Sequence, residues 1–149
     1  MNGGTDSKRI DSTRAPEPVG AFPHARRVGD LLFLSGIGPR KRGTKVIPGV
    51  TLDESGEIVD YDIAAQCLAV FENVRAVVED AGGRWGDIVD VAVFLTNMKK
   101  DFAVFNRLYA EHFADNQPTR TTIEVGALPT PIAVELKVIA HIPDASGRP

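Results

Sequence analysis

The chain has 149 residues, 43% hydrophobic and 25% charged, a balance that fits one globular domain and excludes an extended disordered chain. With 17 Lys and Arg against 20 Asp and Glu, its formal charge of −3 argues against a general nucleic-acid binder. A lone cysteine, Cys67, excludes an internal disulfide framework and a cysteine-rich zinc module.

Residues 1–18 are polar, mixed in charge and closed by Ala15-Pro16-Glu17-Pro18. They lack the apolar stretch of a secretory signal and read as a flexible arm or an edge extension ahead of a domain at 19–143. No segment approaches the roughly 20 apolar residues of a membrane span, so a cytoplasmic protein is expected. Residues 25–35 predict two short strands around Gly29-Asp30, the second being Leu31-Leu32-Phe33-Leu34. Residues 36–60 form a Gly-, Pro- and charge-rich connection with a weak strand near 45–50. It exceeds typical connections, and loops of that length often carry function.

Asp60 or Asp62 is placed to cap the next element, in which Ile63, Cys67, Val70, Phe71, Val74 and Val78 recur at helical spacing until Gly82-Gly83. A strand is predicted over 87–96. Asp101 is read as the cap of a second helix, with Phe102, Phe105, Tyr109 and Phe113 on its buried side. Strands at 120–125 and 132–142 follow, joined by a Pro-rich turn at 126–131, and residues 144–149 form a polar tail. The order β-β-α-β-α-β-β implies an α+β fold with both helices on one face of a mixed sheet.

The last strand alternates apolar residues (Val134, Leu136, Val138) with Glu135, Lys137 and Ile139. In the strand before it, Thr121 and Ile123 alternate with Arg120, Thr122 and Glu124. If the two strands form a hairpin, Thr122 faces Glu135 and Arg120 lies one diagonal away on the same side. A guanidinium, a hydroxyl and a carboxylate would then line one patch, able to bind a carboxylate ligand and orient a water. An ordinary cross-strand ion pair is the competing reading, and from spacing alone the better supported one. The half-apolar sheet face away from the helices suits contact between subunits.

Other signals are weaker. His24, His112 and His141 have no ligand-like spacing, so no metal site is expected. Cys67 falls on the apolar helix stripe and reads as core. Gly36-Ile37-Gly38 lacks the strand-then-helix setting of a dinucleotide fingerprint. Arg40-Lys41-Arg42 with Lys45 is either a solvated basic loop or an anion clamp over a site.

Several linked motifs carry a family resemblance: Ser35-Gly36 after an apolar strand, Phe71-Glu72-Asn73-Val74, and Val91-Ala92-Val93-Phe94-Leu95-Thr96-Asn97-Met98. Asp101-Phe102-Ala103-Val104-Phe105-Asn106, Tyr109-Ala110-Glu111-His112-Phe113 and Pro118-Thr119-Arg120-Thr121-Thr122-Ile123-Glu124-Val125 belong with them. Over residues 19–142 the chain resembles the Rid (YjgF) family of reactive-intermediate deaminases. The resemblance implies a chorismate-mutase-like fold and a homotrimer with sites in the clefts between subunits, pairing of trimers into a hexamer being left open. It also implies cofactor-free hydrolysis of enamines or imines to oxo acids and ammonia. Arg120 matches the family arginine that holds the substrate carboxylate and Glu135 the glutamate that positions water. Ser35, Gly36 and Asn106 match pocket residues.

The departures point to a branch. Phe22 stands where the common pattern has tyrosine, Thr122 where many members have cysteine or serine, and Ile37 where glutamine is frequent. Phe22-Pro23-His24, Pro39-Arg40-Lys41 and Asp53-Glu54-Ser55-Gly56 resemble the 2-aminomuconate deaminase branch of aromatic-compound degradation. The expected substrate is then a conjugated dicarboxylate converted to 2-oxohex-3-enedioate. Arg120 would hold the nearer carboxylate, Arg40 the distal one (with His24 or Arg26 as alternatives), while His24 moves the tautomerising proton. Glu135 would orient water, and Ser35 with the Gly36 N–H would stabilise the carbinolamine. The rival readings are a general 2-imino acid deaminase and a non-catalytic module that binds a small carboxylate. Neither a nucleic-acid nor a membrane partner is expected.

Overall fold

The computed structural model describes residues 7–143. Six strands form one mixed sheet: β1 (Ser7–Ile10), β2 (Ala25–Val28), β3 (Leu31–Leu34), β6 (Ile88–Leu95), β7 (Thr119–Glu124) and β8 (Val134–His141). Their spatial order is β1-β2-β3-β8-β6-β7, and β4 (Val50–Leu52) and β5 (Ile58–Tyr61) form a separate hairpin. Both helices, α1 (Ile63–Asp80) and α2 (Met98–Phe113), contribute buried residues to the one hydrophobic core. The expected α+β, chorismate-mutase-like layering is what the chain adopts.

Local chemistry accounts for the elements. Asp62, the second of the two predicted caps, accepts from the N–H groups of Ala64 and Ala65, and α1 ends before Gly82, whose φ is +90°. Cys67, Val70, Phe71, Val74 and Val78 are all buried, as their spacing requires. In α2 the cap is Asn97, which accepts from the Lys100 N–H at 3.0 Å, and not Asp101. Asp101 sits a turn further in, fully buried, and accepts a 2.6 Å hydrogen bond from the Tyr61 hydroxyl. Phe102 is partly exposed, and Leu108 takes its place on the buried side. The weak strand near 45–50 falls later, at β4, which turns back through Asp53 and Gly56 into β5.

The segment expected as a flexible arm takes its other reading from residue 7 onward. β1 extends the sheet edge by pairing with β2, and Ile10, Ser12 and Ala15 are buried. The ordered domain therefore begins before residue 19.

The hairpin between the last two strands does not form. β7 lies parallel to β6, joined to it through α2, and the chain then crosses to β8 on the other side of β6. The helix-facing residues Val134, Leu136, Val138 and Ala140 are fully buried, which demands a central position for β8. β7 is polar on alternate residues and suits an edge.

The register also separates residues expected on one patch. Glu135 pairs with Phe94 and, across it, Ile123, on the face without helices. Arg120 and Thr122 pair with Val91 and Val93, on the face toward α2. The helix-free face carries Val28, Leu31, Phe33 and Ile123, each at least 36% exposed in the single chain.

Candidate active site

Glu135 forms the floor of a cavity of about 130 Å³ between β8, the start of the loop after β3, and the segment ahead of β2. Phe22, His24, Ser35, Gly36 and Arg40 all line it. Gly36 leaves room for that carboxylate: a Cβ there would lie 2.5 Å from Glu135 Oε2 and push the side chain from its place. Among the described residues no group hydrogen-bonds to the Glu135 carboxylate, which leaves both oxygens for a ligand or a water. Burial raises this carboxyl above its ordinary range, and the positive charge of Arg40 opposes the rise. A half-buried carboxylate with a raised proton affinity is suited to take up and return a proton.

Several wall residues are more committed than their sequence suggests. The Ser35 hydroxyl donates to the Pro23 carbonyl at 2.7 Å, and its N–H donates to the His24 carbonyl. Ser35 can therefore accept from a ligand but has no free proton to offer; the Gly36 N–H makes no hydrogen bond among the described residues. His24 is 4% exposed, with Nδ1 accepting from the Ser12 N–H at 2.9 Å and Nε2 at 2.7 Å from the Pro16 carbonyl. Both ring nitrogens are occupied by backbone, so the proton-transfer role expected of His24 has no free atom to perform it. Arg40 donates from Nη2 to the Glu17 carbonyl at 2.8 Å. Arg26, the alternative distal cation, points elsewhere and hydrogen-bonds Ser7 Oγ.

The remaining expected site residues form a second group, on α2 and β7. Arg120 Nη1 donates to Asn106 Oδ1 at 2.9 Å, and the guanidinium stacks over Tyr109 with its carbon 4.7 Å from the ring centroid. Phe102 and Phe105 stand at 5.8 Å. A hydrogen bond and aromatic faces together hold the guanidinium plane, a geometry lysine could not copy. Thr122 Oγ1 and the Tyr109 hydroxyl are buried without hydrogen-bond partners among the described residues, and burial pushes the Tyr109 phenol up to about 12. Arg120 and Glu135 do not line a common cavity within one chain.

Sequence reasoning missed the strap residues Pro16, Pro18 and Val19, which complete the Glu135 cavity. The stiff Ala15-Pro16-Glu17-Pro18 run was their only signal. Cys67 is fully buried and its thiol is pushed up to about 12 by that burial, so it is core, as its place on the stripe implies. Among the described residues no three His, Cys, Asp or Glu side chains assemble as a metal-ligand set, and no helix is long and apolar enough to cross a membrane.

The comparisons agree with this architecture. A RutC family protein of Pyrococcus abyssi is 36% identical over 132 residues, covering 89% of this chain and 94% of its own. A protein of Dermatophagoides farinae named 2-iminobutanoate/2-iminopropanoate deaminase is 35% identical over 137 residues, covering 91% and 97%. Among solved structures, Escherichia coli TdcF with bound serine superposes with a TM-score of 0.76 at 33% identity, covering 90% of this chain and 98% of that one. Yeast Mmf1 superposes at 0.79 with 28% identity, covering 91% and 98%. The family described as Endoribonuclease L-PSP matches residues 12–142, and with these relatives it places the chain in the Rid (YjgF) family.

Proposed function

We propose that this protein hydrolyses enamine or imine carboxylates to oxo acids and ammonia, in sites completed by two neighbouring copies of the chain. The observation that carries the reading is the Glu135 carboxyl, raised by burial, without a hydrogen bond among the described residues and faced by Arg40. Its relatives' names supply the reaction class: one is a 2-iminobutanoate/2-iminopropanoate deaminase. In the proposed sequence Glu135 first protonates the enamine carbon, giving the iminium ion. The resulting carboxylate takes a proton from water as the oxygen attacks the C=N carbon, forming the carbinolamine. Glu135 then returns that proton to nitrogen, and as the C–N bond breaks and ammonia leaves, the hydroxyl passes its proton to the Glu135 carboxylate, which leaves the ketone and restores the acid. Glu135 thus carries the proton transfer that the sequence put on His24.

Arg120 is the fixed carboxylate clamp in this scheme, with Asn106 and Tyr109 holding its plane. Because Arg120 and Glu135 lie on opposite faces of one sheet, a neighbour must bring the two groups together. The apolar helix-free face with Leu31, Phe33 and Ile123 is the surface we assign to that association, as a homotrimer. The finer substrate is a dicarboxylate of the 2-aminomuconate type, because Arg40 supplies a second cation inside the cavity. The test is ammonia release from 2-aminomuconate and from 2-iminobutanoate, with wild type, Arg40→Ala and Arg120→Ala. We expect Arg120→Ala to abolish both activities and Arg40→Ala to raise KM for the dicarboxylate alone. Equal handling of both substrates by wild type and Arg40→Ala would remove the second clamp and leave the general imine deaminase.

A further inference from the structure

Residues 12–18 cross one end of the Glu135 cavity and are fastened from several directions. Ser12 Oγ donates to Asp80 Oδ2 at 2.6 Å, at the end of α1, and Arg14 Nη2 pairs with the other oxygen of Asp80 at 2.9 Å. From the loop after β3, Arg42 Nη1 donates to the Ala15 carbonyl at 2.8 Å and the Ser12 carbonyl at 3.1 Å. Arg40 holds the Glu17 carbonyl. In the middle stands His24, closing a ring between the Ser12 N–H and the Pro16 carbonyl. Since Nδ1 accepts, the proton sits on Nε2, and the imidazole acts as one acceptor and one donor in a neutral tautomer. Those fastenings press Pro16, Pro18 and Val19 against the cavity and anchor Arg40 beside Glu135.

We infer that residues 12–18 are a strap that sets the width of the Glu135 cavity, with His24 as the positioning residue that holds it. The inference rests on the reading of that cavity as the substrate site. It gives His24 a function through the strap and not on the reacting atoms. Releasing the strap widens the cavity and frees Arg40 from Glu17, so affinity for a long dianion falls while proton transfer at Glu135 survives.

Two replacements of His24 separate positioning from mere filling of space. His24→Leu keeps apolar bulk but strands the Ser12 N–H and the Pro16 carbonyl, whereas His24→Gln keeps one acceptor and one donor. Arg42→Met loosens the strap from outside the cavity and stands in if His24→Leu does not fold. The readouts are binding of adipate, an inert six-carbon dicarboxylate, by calorimetry, hydrogen exchange at residues 12–18, and kcat and KM for the two substrates above. His24→Leu is expected to weaken adipate about tenfold, speed exchange in the strap and raise KM with kcat kept, and His24→Gln to restore all three. Wild-type adipate affinity in a His24→Leu or Arg42→Met protein with faster strap exchange overturns the inference, as does unchanged exchange. A kcat loss in His24→Leu that matches the KM change also overturns it. Adipate binding by a wild type that deaminates neither substrate overturns the proposed function and leaves the strap standing. A wild type that binds no adipate overturns the strap and the dicarboxylate preference, and ammonia release from 2-iminobutanoate then decides whether the general imine deaminase stands.

Discussion

Glu135 and Arg120 are charged groups held in opposite ways. The carboxylate lies half-buried with no hydrogen-bond donor among the described residues, and burial raises its proton affinity. The guanidinium has a hydrogen bond from Nη1 to Asn106 and an aromatic ring beneath it. A group meant to exchange a proton gains from the first environment, because neither of its states is tied down. A group meant to bind an anion gains from the second, because its plane is set before the ligand arrives. In the proposed function the difference divides chemistry from recognition between the two regions.

The contrast can be broken at either end. Glu135→Gln removes the titrating group and should cost about 100- to 10,000-fold in ammonia release. The same variant should be more heat-stable than wild type at neutral pH. A carboxyl whose folded value is raised favours the folded state below the ordinary carboxylate range and loses that advantage as pH rises through the raised value. The gain in melting temperature should therefore vanish on acidification, which thermal scans across pH would read. Arg120→Lys keeps the charge but loses the planar fork, and a fall of about 100-fold in kcat/KM with an unchanged melting temperature is expected.

Smaller effects sharpen the comparison. Arg40 lowers the Glu135 value and the reaction starts from protonated Glu135, so Arg40→Ala should move the alkaline limb of the kcat/KM profile to higher pH, whereas Arg120→Lys should leave that limb in place. On the helix-free face, Phe33→Lys should lower the oligomeric state seen by light scattering, with activity falling in parallel.

Helices were legible because their signals are local. The stripe from Ile63 to Val78, with Asp62 before it and Gly82 after it, carries its own start, face and stop. Strand neighbours were not legible. Residues 126–131 look like a tight turn, and nothing local says that α2 has already placed β7 beside β6. That long-range pairing is what put Arg120 and Glu135 on opposite faces, against the one-patch expectation. The candidate site residues came from the family resemblance, which carried Arg120, Glu135, Ser35, Gly36 and Asn106 over by position, whereas type and spacing alone favoured an ordinary ion pair for Arg120 and Glu135. Their commitments were not legible. The two ring nitrogens of His24 and the hydroxyl of Ser35 are occupied by backbone groups of Ser12, Pro16 and Pro23, partners that only the folded chain identifies.

The central claim is that a working site takes Glu135 from one copy and Arg120 from its neighbour, and two inactive variants test it directly. Glu135→Gln and Arg120→Ala chains should each be inactive alone. Co-expressed or refolded together, they should regain ammonia release at about a quarter of the wild-type sites, since random assembly pairs an intact Glu135 with an intact neighbouring Arg120 that often. A mixed assembly that forms normally yet stays inactive would contradict the shared site.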